Sequence, residues 1–508
     1  MFSFHRNPIS GFVFFACLMI LEGCKTTTPQ VPNPVVLPDE FLQTGEAVRS
    51  AKWWQDFQDP QLDALVEQAL AKNFDLRSTW ARLSQAEAQA RLAGVSLFPT
   101  LDATGSFTKT YEKQEISTPR PNQTPKTVVD YSEDRRYNLG LSASYEVDLW
   151  GRLRSARNAA LFEAQASITD LQSAAISLSA TVASTFYRLQ EQQGQIALLQ
   201  KQAQTTQETL GLIEGRFRVG RSTASDVLQQ RQLLESRQEE IRRAESQLRV
   251  LEISLATLVG EMPEGFDAGE TGILIVLPPL PNTGIPAQWV QQRPDLAGAL
   301  LAVQAADQRL ASVIAEKYPR LSLTGSFSTA DRRWRDLFDN WLSSLAANAT
   351  VPILDGGRRK IEVQRNQAIV IERLNNYGQA VLNALAEVET ALVQENEQRA
   401  IIASIQQQLA LARQVRERIQ AEFLQGNTEY LRVLDAQQTE QNLERELLSS
   451  QQQLIGFRID LCRALAGGWE MPAPEAQGNF LEYLRGNSAY PLPLNPKPLT
   501  PQENPLQP

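Results

Sequence analysis

Residues 137–152 read YNLGLSASYEVDLWGR, and they alternate without a break. Leu139, Leu141, Ala143, Tyr145, Val147 and Leu149 fall on one side of an extended strand, and Asn138, Gly140, Ser142, Ser144, Glu146 and Asp148 on the other. Directly after Trp150-Gly151-Arg152 the pattern changes to a long run rich in Ala, Gln and Ser, with the composition of a helix. Few folds accept a strand that is apolar on one face, acidic on the other, and joined at once to a very long helix.

The chain writes this arrangement twice. NFDL at Asn73 is answered by RPDL at Arg293, and FPTLDATGSFT at Phe98 by YPRLSLTGSFS at Tyr318, each about 220 residues later. GRFRVGRSTASDVL at Gly215 is answered by AEFLQGNTEYLRVL at Ala421, about 206 residues later. The shortfall of about 14 residues falls on a polar, proline-containing insertion at 109–136, where the second copy has the short DRRWRD. An insertion of this kind is expected on an exposed loop between strands.

The spacing predicts strands at about 98–108, 137–149, 318–328 and 341–353. It predicts long helices at about 151–217 and 357–424, each ending in a tight turn, at about 218–224 and 425–429. Residues 53–268 then form a first repeat, 269–284 a linker, 285–468 a second repeat, and 469–508 a Pro-rich tail.

In all four strands the odd-numbered face is apolar or small: Leu101, Ala103 and Phe107; Leu321, Leu323 and Phe327; Leu345, Ala347, Ala349, Val351 and Ile353. The charged residues Asp102, Glu146, Asp148 and Arg320 lie on the even face. Phe98, Trp150 and Tyr318 bracket one end of the strands, and Tyr111, Tyr137, Trp334 and Trp341 the other. Apolar outsides, polar insides and aromatic girdles are the pattern of a transmembrane β-barrel. A soluble sandwich also alternates, but its strands would not all sit between paired aromatics and feed helices of this length.

Four strands cannot close a barrel, and an open edge in lipid leaves backbone groups unpaired at a cost of several kcal/mol each. Several chains must therefore pool their strands: two would give eight, three would give twelve.

The first long helix carries apolar or small residues every seventh position: Ile168, Ala175, Val182, Leu189, Ile196, Ala203, Leu210 and Phe217. Leu171, Leu178, Leu199 and Ile213 fill complementary positions. The second helix keeps Leu374, Val381, Val388, Ile402, Leu409 and Phe423, with Glu395 and Arg416 interrupting. At about 1.5 Å per residue, each helix reaches on the order of 100 Å. The strand is expected to line a pore and the helix to prolong its wall.

Composition narrows the chemistry. A net charge of −9 and a pI of about 5.1 argue against nucleic acid as a partner. No window approaches the eighteen unbroken apolar residues of a membrane-spanning helix. Residues 1–23 read as a signal peptide, with His5 and Arg6 ahead of an apolar stretch from Gly11 to Leu21. The sole histidine, His5, and Cys17 leave with it, so only Cys24 and Cys462 remain. Histidine bases, His/Cys metal sites and Ser-His-Asp triads are excluded by absence, no cofactor is indicated, and nothing places paired carboxylates in a pocket. The chain is expected not to be an enzyme.

Leu21-Glu22-Gly23-Cys24 resembles the bacterial lipobox, in which the cysteine becomes the lipidated first residue, and Lys-Thr-Thr-Thr-Pro after it reads as a polar tether. This makes residues 24–52 a lipid-anchored extension, with Lys25 pointing, by resemblance to lipoprotein sorting, to the outer membrane.

WWQDFQDPQLDALVEQAL from Trp53, YEVDLWGRLR from Tyr145, LPPLPNTGIPAQWVQQRPDL from Leu277, VPILDGGRRK from Val351 and YLRVLDAQQ from Tyr430 together resemble the TolC-like outer-membrane efflux proteins, in particular their NodT-type lipoprotein branch. Phe74 departs from the Asn-Pro-Asp-Leu usual in the first copy, while Pro294 keeps the proline in the second. The resemblance implies a homotrimer whose 12-stranded β-barrel in the outer membrane continues as a helical barrel across the periplasm. It would be a passive exit duct for drugs or other small toxic compounds, joined to a periplasmic adaptor and an inner-membrane RND-type transporter. It also implies adaptor contacts at Val219, Gly220 and Arg221 and at Gln425, Gly426 and Asn427. By the same resemblance, Asp435 belongs to a gate at the periplasmic entrance. Arg432 departs from the family, standing where some relatives have a second acidic residue, and its helical spacing allows an i, i+3 pair with Asp435. Asp226 is a weaker gate candidate, because a cap or surface role explains it equally well. Two rival readings stand beside this one: an outer-membrane channel for protein secretion, and a periplasmic coiled-coil scaffold without a pore.

Overall fold

The structure, a computed structural model, describes residues 34–46, 52–120, 123–267, 269 and 272–466. The signal peptide, Cys24 and the tail from residue 467 lie outside the described residues. Every element below belongs to one unit, Leu37–Pro508.

After a 3-10 turn at Trp53–Phe57 come α1 (Pro60–Lys72) and α2 (Phe74–Val95), the strands β1 (Thr100–Arg120) and β2 (Gln123–Val147), then α3 (Arg152–Arg218) and α4 (Ala224–Val259). The order then recurs: α5 (Pro286–Gln292), α6 (Pro294–Ala315), β3 (Arg320–Asp331), β4 (Trp341–Thr350), α7 (Arg358–Leu424) and α8 (Tyr430–Leu465). The lengths recur too, with 22 residues in α2 and α6, 67 in α3 and α7, and 36 in α4 and α8.

The four strands form one antiparallel sheet in the order β1-β2-β3-β4. Its register pairs odd with odd: Ala103 lies opposite Leu141, Leu141 opposite Phe327, and Leu323 opposite Ala347. The odd-numbered apolar residues of all four strands therefore share one face, and Ser142, Ser326 and Ser344 share the other, together with Leu342 and Ala346.

The insertion at 109–136 is not the loop expected. β1 and β2 continue through it as a paired ribbon, with Lys109 opposite Arg135, Tyr111 opposite Glu133 and Lys113 opposite Tyr131. Thr110, Tyr111, Val129 and Tyr131 favour extended structure, and Pro119 and Pro125 sit near the ribbon's end, where a missing N–H costs little. β4 ends at Thr350, three residues short of the span read from the sequence.

The main core lies where the Trp53–Phe57 turn and α1 pack on the middle of α3. Trp54, Leu62, Val66, Phe186, Leu189 and Leu255 are fully buried there with Ile455 and Ile459 of α8. Trp53 Nε1 donates to Ser179 Oγ at 3.2 Å, and the Phe57 and Tyr187 rings lie 5.8 Å apart. Nearby, Phe41 stands edge-on to Trp289 at 5.5 Å, and Gly45 N–H donates to Pro281 O at 3.1 Å. A Cβ at Gly45 would fall 1.8 Å from Leu280 O, so only glycine permits this approach.

The heptad seam of α3 holds in its middle and then drifts. Ala175, Val182 and Leu189 are fully buried, Ile196 and Ala203 half-buried, and Phe217 exposed. A straight helix turns about 20° per heptad against a seven-residue repeat, so burial passes to Leu199 and Ile213, with Leu210 the last seam residue still buried. On α7, Glu395 does not interrupt the buried seam but occupies it, at 2% exposure. Among the described residues no helix is long and apolar enough to cross a membrane.

Candidate functional site

Among the described residues, nothing covers the apolar face of the sheet at Leu101, Leu323 or Leu345. Leu101 is 72% exposed and Leu345 87%, and every residue of β4 is exposed. A contiguous apolar face of this kind marks contact with lipid or another chain. At its two ends the aromatics meet. Trp150 stacks on Tyr318 at 4.9 Å and donates to Pro319 O at 2.8 Å. At the other end Phe107, Tyr137 and Trp334 form a chain with spacings of 4.8 and 5.9 Å, and Phe327 stacks on Trp341 at 5.9 Å.

Each strand-to-helix junction is built on one aspartate. Asp148 accepts from Leu153 N–H at 3.1 Å and Arg154 N–H at 2.9 Å, and pairs with the Arg154 guanidinium. Asp355 accepts from Gly357 N–H at 3.0 Å and pairs with Arg359 at 2.9 Å. Backbone and side-chain donors from Arg359 and Gly357 outweigh its partial desolvation and hold the Asp355 carboxyl below its ordinary range. Gly151 and Gly357 precede the helices at φ of +76° and +83°, conformations that glycine adopts without strain. Arg152 grips Glu146 with contacts of 2.9 and 2.8 Å from one guanidinium nitrogen. Two of the even-face carboxylates are thus occupied in joining strand to helix. Asp102 stands opposite Ser142 in the ladder, exposed.

The two turns at the far end of α3 and α7 are alike. Gly220 (φ +72°) and Gly426 (φ +83°) follow the last helical residues, with Arg221 N–H donating to Arg216 O at 2.8 Å and Asn427 N–H to Glu422 O at 2.9 Å. Val219, Gly220, Arg221, Gln425, Gly426 and Asn427 are all exposed. The structure brings both turns into one cluster: Ile213, Val227, Phe423, Tyr430 and Val433 pack together, and the Arg216 guanidinium lies 4.5 Å from the centre of the Phe423 ring. Tyr430 OH donates to Gln230 Oε1 at 2.5 Å, and Gln230 Nε2 donates to Thr206 O at 2.8 Å. Burial first, and the nearby Asp226 charge second, push the Tyr430 phenol well above its usual range, so it stays a donor.

The three residues read as gate members have different surroundings. Asp226 closes a capping box at the start of α4, accepting from Thr223 N–H at 2.8 Å and Ser222 Oγ at 3.1 Å. Asp435 and Arg432 are exposed on α8, and among the described residues no ion pair joins them, so the expected i, i+3 pair is not formed. The sequence reading missed the Glu395–Arg458 ion pair, because nothing in a 63-residue separation signals contact.

An exposed apolar sheet face, girdled at both ends and continued by paired 67-residue helices, defines a channel-wall protein of the outer membrane. The chain belongs to the outer membrane efflux protein family, whose sequence profile matches residues 65–261 and 285–467. It is 29% identical over 466 residues to the pyoverdine export outer membrane protein OpmQ of Pseudomonas aeruginosa, covering 90% of this chain and 96% of that one. It is 26% identical to the cation efflux system protein CusC of Escherichia coli, covering 90% and 98%. The solved structure of the outer-membrane channel OprN superposes with a TM-score of 0.78 at 24% identity, covering 87% of this chain and 99% of that one.

Proposed function

We propose that three copies of this chain pool their sheets into a 12-stranded barrel, and that an internal duplication supplies the matched halves. The observation that carries this reading is the open four-stranded sheet: β1 and β4 are edge strands whose backbone groups need partners in lipid. In a trimer, β4 of one protomer pairs with the membrane-level part of β1 of the next, and every edge within the barrel disappears. The odd face then meets lipid, the serine-rich even face lines the pore, and α3 and α7 with their shorter companions continue the wall through the periplasm.

Such a channel is the passive exit duct of a tripartite pump. Small compounds enter from an inner-membrane RND-type transporter through a periplasmic adaptor, which docks on the exposed turns at Val219–Arg221 and Gln425–Asn427. Cys24 carries the lipid that holds the extension at the outer membrane. At the periplasmic entrance three copies of Asp435 ring the opening, with Arg432 close by. Asp226 supports the gate indirectly, by fixing the start of α4 against Tyr430. No catalytic group takes part, and the driving force belongs to the transporter.

Deletion of the gene in its own host tests this reading. The mutant should retain a fluorescent pump substrate inside the cell, and the wild-type gene should restore its export. Unchanged retention of every substrate of the cognate transporter would remove the exit-duct role.

A further inference from the structure

The ribbon made by β1 and β2 outlasts the rest of the sheet. β3 ends opposite Tyr137, at Asp331, whereas β1 runs on to Arg120. At about 3.4 Å per residue, the extra length of roughly 12 residues is on the order of 40 Å. A two-stranded ribbon standing alone in water is marginal. On the reading above, the helices leave the opposite end of the sheet, so this ribbon rises on the outer side of the membrane.

Its two faces differ in charge. Up to the Glu115–Val129 rung, the odd face carries Lys109, Lys113 and Arg135 against Glu115 and Glu133, with Tyr111 and Tyr131 between them. The even face carries Glu112, Asp130 and Asp134 against Arg136 alone. The odd face continues the lipid-facing side, and the even face continues the pore.

One rung stands out. Lys109 and Arg135 lie directly opposite each other, an arrangement that repels unless an anion intervenes. Both lean on one carboxylate, with Lys109 Nζ 3.1 Å and Arg135 Nε 2.5 Å from Glu133 Oε1, which leaves one positive charge in excess. This rung lies two residues beyond Phe107 and Tyr137, about 7 Å above the girdle they form with Trp334; Tyr111, expected in that girdle from the sequence, lies two residues further out. The rung thus stands at the height of the phosphates in a membrane whose hydrocarbon boundary the girdle marks. Two rungs further on the same face, Tyr131 (75% exposed) offers an open ring where sugars would follow, and Tyr111 (69% exposed), on the rung between, holds the Lys109 ammonium 4.6 Å from its ring centre.

We propose that Lys109 and Arg135 bind a phosphate of the phosphorylated glycolipid in the outer leaflet, and that Tyr131 rests against its sugar core. Charge complementarity and continuity with the girdle select this partner. The phosphate supplies the counter-charge that Glu133 only half provides, and the glycolipid supports a ribbon that cannot stand alone. The inference rests on the pore reading above for its inside and outside.

The test uses the full-length trimer in detergent. The probes are rough-type lipopolysaccharide, the same material with its phosphates removed, and phosphatidylglycerol. Lys109→Gln combined with Arg135→Gln should weaken lipopolysaccharide binding by roughly tenfold or more. The charge-keeping pair Lys109→Arg with Arg135→Lys should stay within about twofold, as should Glu112→Gln with Asp130→Asn on the other face. The dephosphorylated probe should bind wild type as weakly as intact lipopolysaccharide binds the glutamine variant. Undiminished binding by the glutamine pair, equal binding of the dephosphorylated probe, or phosphatidylglycerol binding as tight as lipopolysaccharide would each overturn the proposal. So would a loss of trimer stability in the glutamine pair without any glycolipid, because it would place the face between copies of the chain. Single-channel conductance of the same samples separates the two readings: conducting trimers with unchanged glycolipid binding refute only the glycolipid site.

Discussion

Arg458 of α8 and Glu395 of α7 face each other inside the protein, with Nη2 2.5 Å from Oε1 and Nε 2.8 Å from Oε2, both side chains at most 3% exposed. The remaining guanidinium nitrogen, Nη1, donates to the Pro278 and Pro279 carbonyls at 2.9 and 3.0 Å. One arginine thus ties two helices and the linker between the halves. About 206 residues earlier in the chain, the position matching Glu395 is Leu189, fully buried among apolar side chains. The same site is solved once with carbon and once with charge.

Removing Glu395 leaves the Arg458 charge buried without its carboxylate, whereas removing Arg458 leaves Glu395 paired only with Arg399. Glu395→Gln should lower stability by about 3 kcal/mol. The double variant Glu395→Leu with Arg458→Met should be less damaged than either single change, although it frees the two proline carbonyls. Thermal unfolding of purified protein checks the ranking. Burial alone would raise the Glu395 carboxyl, but the hydrogen bonds and charges of Arg458 and Arg399 outweigh it and hold the group below its ordinary range. A depressed carboxylate stabilises the fold above its unfolded value and stops doing so as pH falls through the folded one. The wild type should therefore lose stability below about pH 4, and Glu395→Gln should lack that part of the loss.

The two sheet faces should tolerate charge unequally. Leu141→Arg or Leu323→Arg puts a guanidinium on the odd face and should cost roughly 2–4 kcal/mol per subunit if that face meets lipid. Ser142→Arg or Thr324→Arg, on the even face, should assemble and change conductance. Heat-modifiable mobility on gels reads assembly directly, and equal tolerance on both faces would contradict the assignment of inside and outside.

Much of this was legible because period-two and period-seven patterns are properties of a segment alone. The alternation from Leu139 to Leu149 marked a strand with two unlike faces, and the proline-free run to Phe217 marked one long helix. What escaped depends on partners distant in the chain. Tyr111 and Glu133 read as loop residues until their cross-strand pairing is seen. Glu395 read as a break in a heptad because Arg458 could not be placed beside it. Asp226 and Thr223 have the spacing of a capping box, so that role was readable locally.

At the tip, Tyr430→Phe removes the donor to Gln230 and leaves a fully buried acceptor unsatisfied, at an expected cost of about 1–3 kcal/mol. Asp435→Ala leaves packing intact, since the side chain is exposed, and should raise conductance without reducing assembly. Wild-type conductance and opening frequency would remove Asp435 from the gate.

The anchor has its own test. Cys24→Ser should abolish labelling by a fatty-acid probe, while trimers still insert, because a barrel spans the membrane without help from acyl chains. Persistent labelling of the serine variant would end the lipoprotein reading.

The central claim is a pore shared among copies of one chain, and planar-bilayer recording of the purified full-length protein tests it most directly. The account predicts stepwise single-channel currents from a heat-modifiable species three chains in mass, with larger steps from Asp435→Ala. A protein that folds with its full helical content but yields no conductance at any voltage, and no heat-modifiable oligomer, would contradict it.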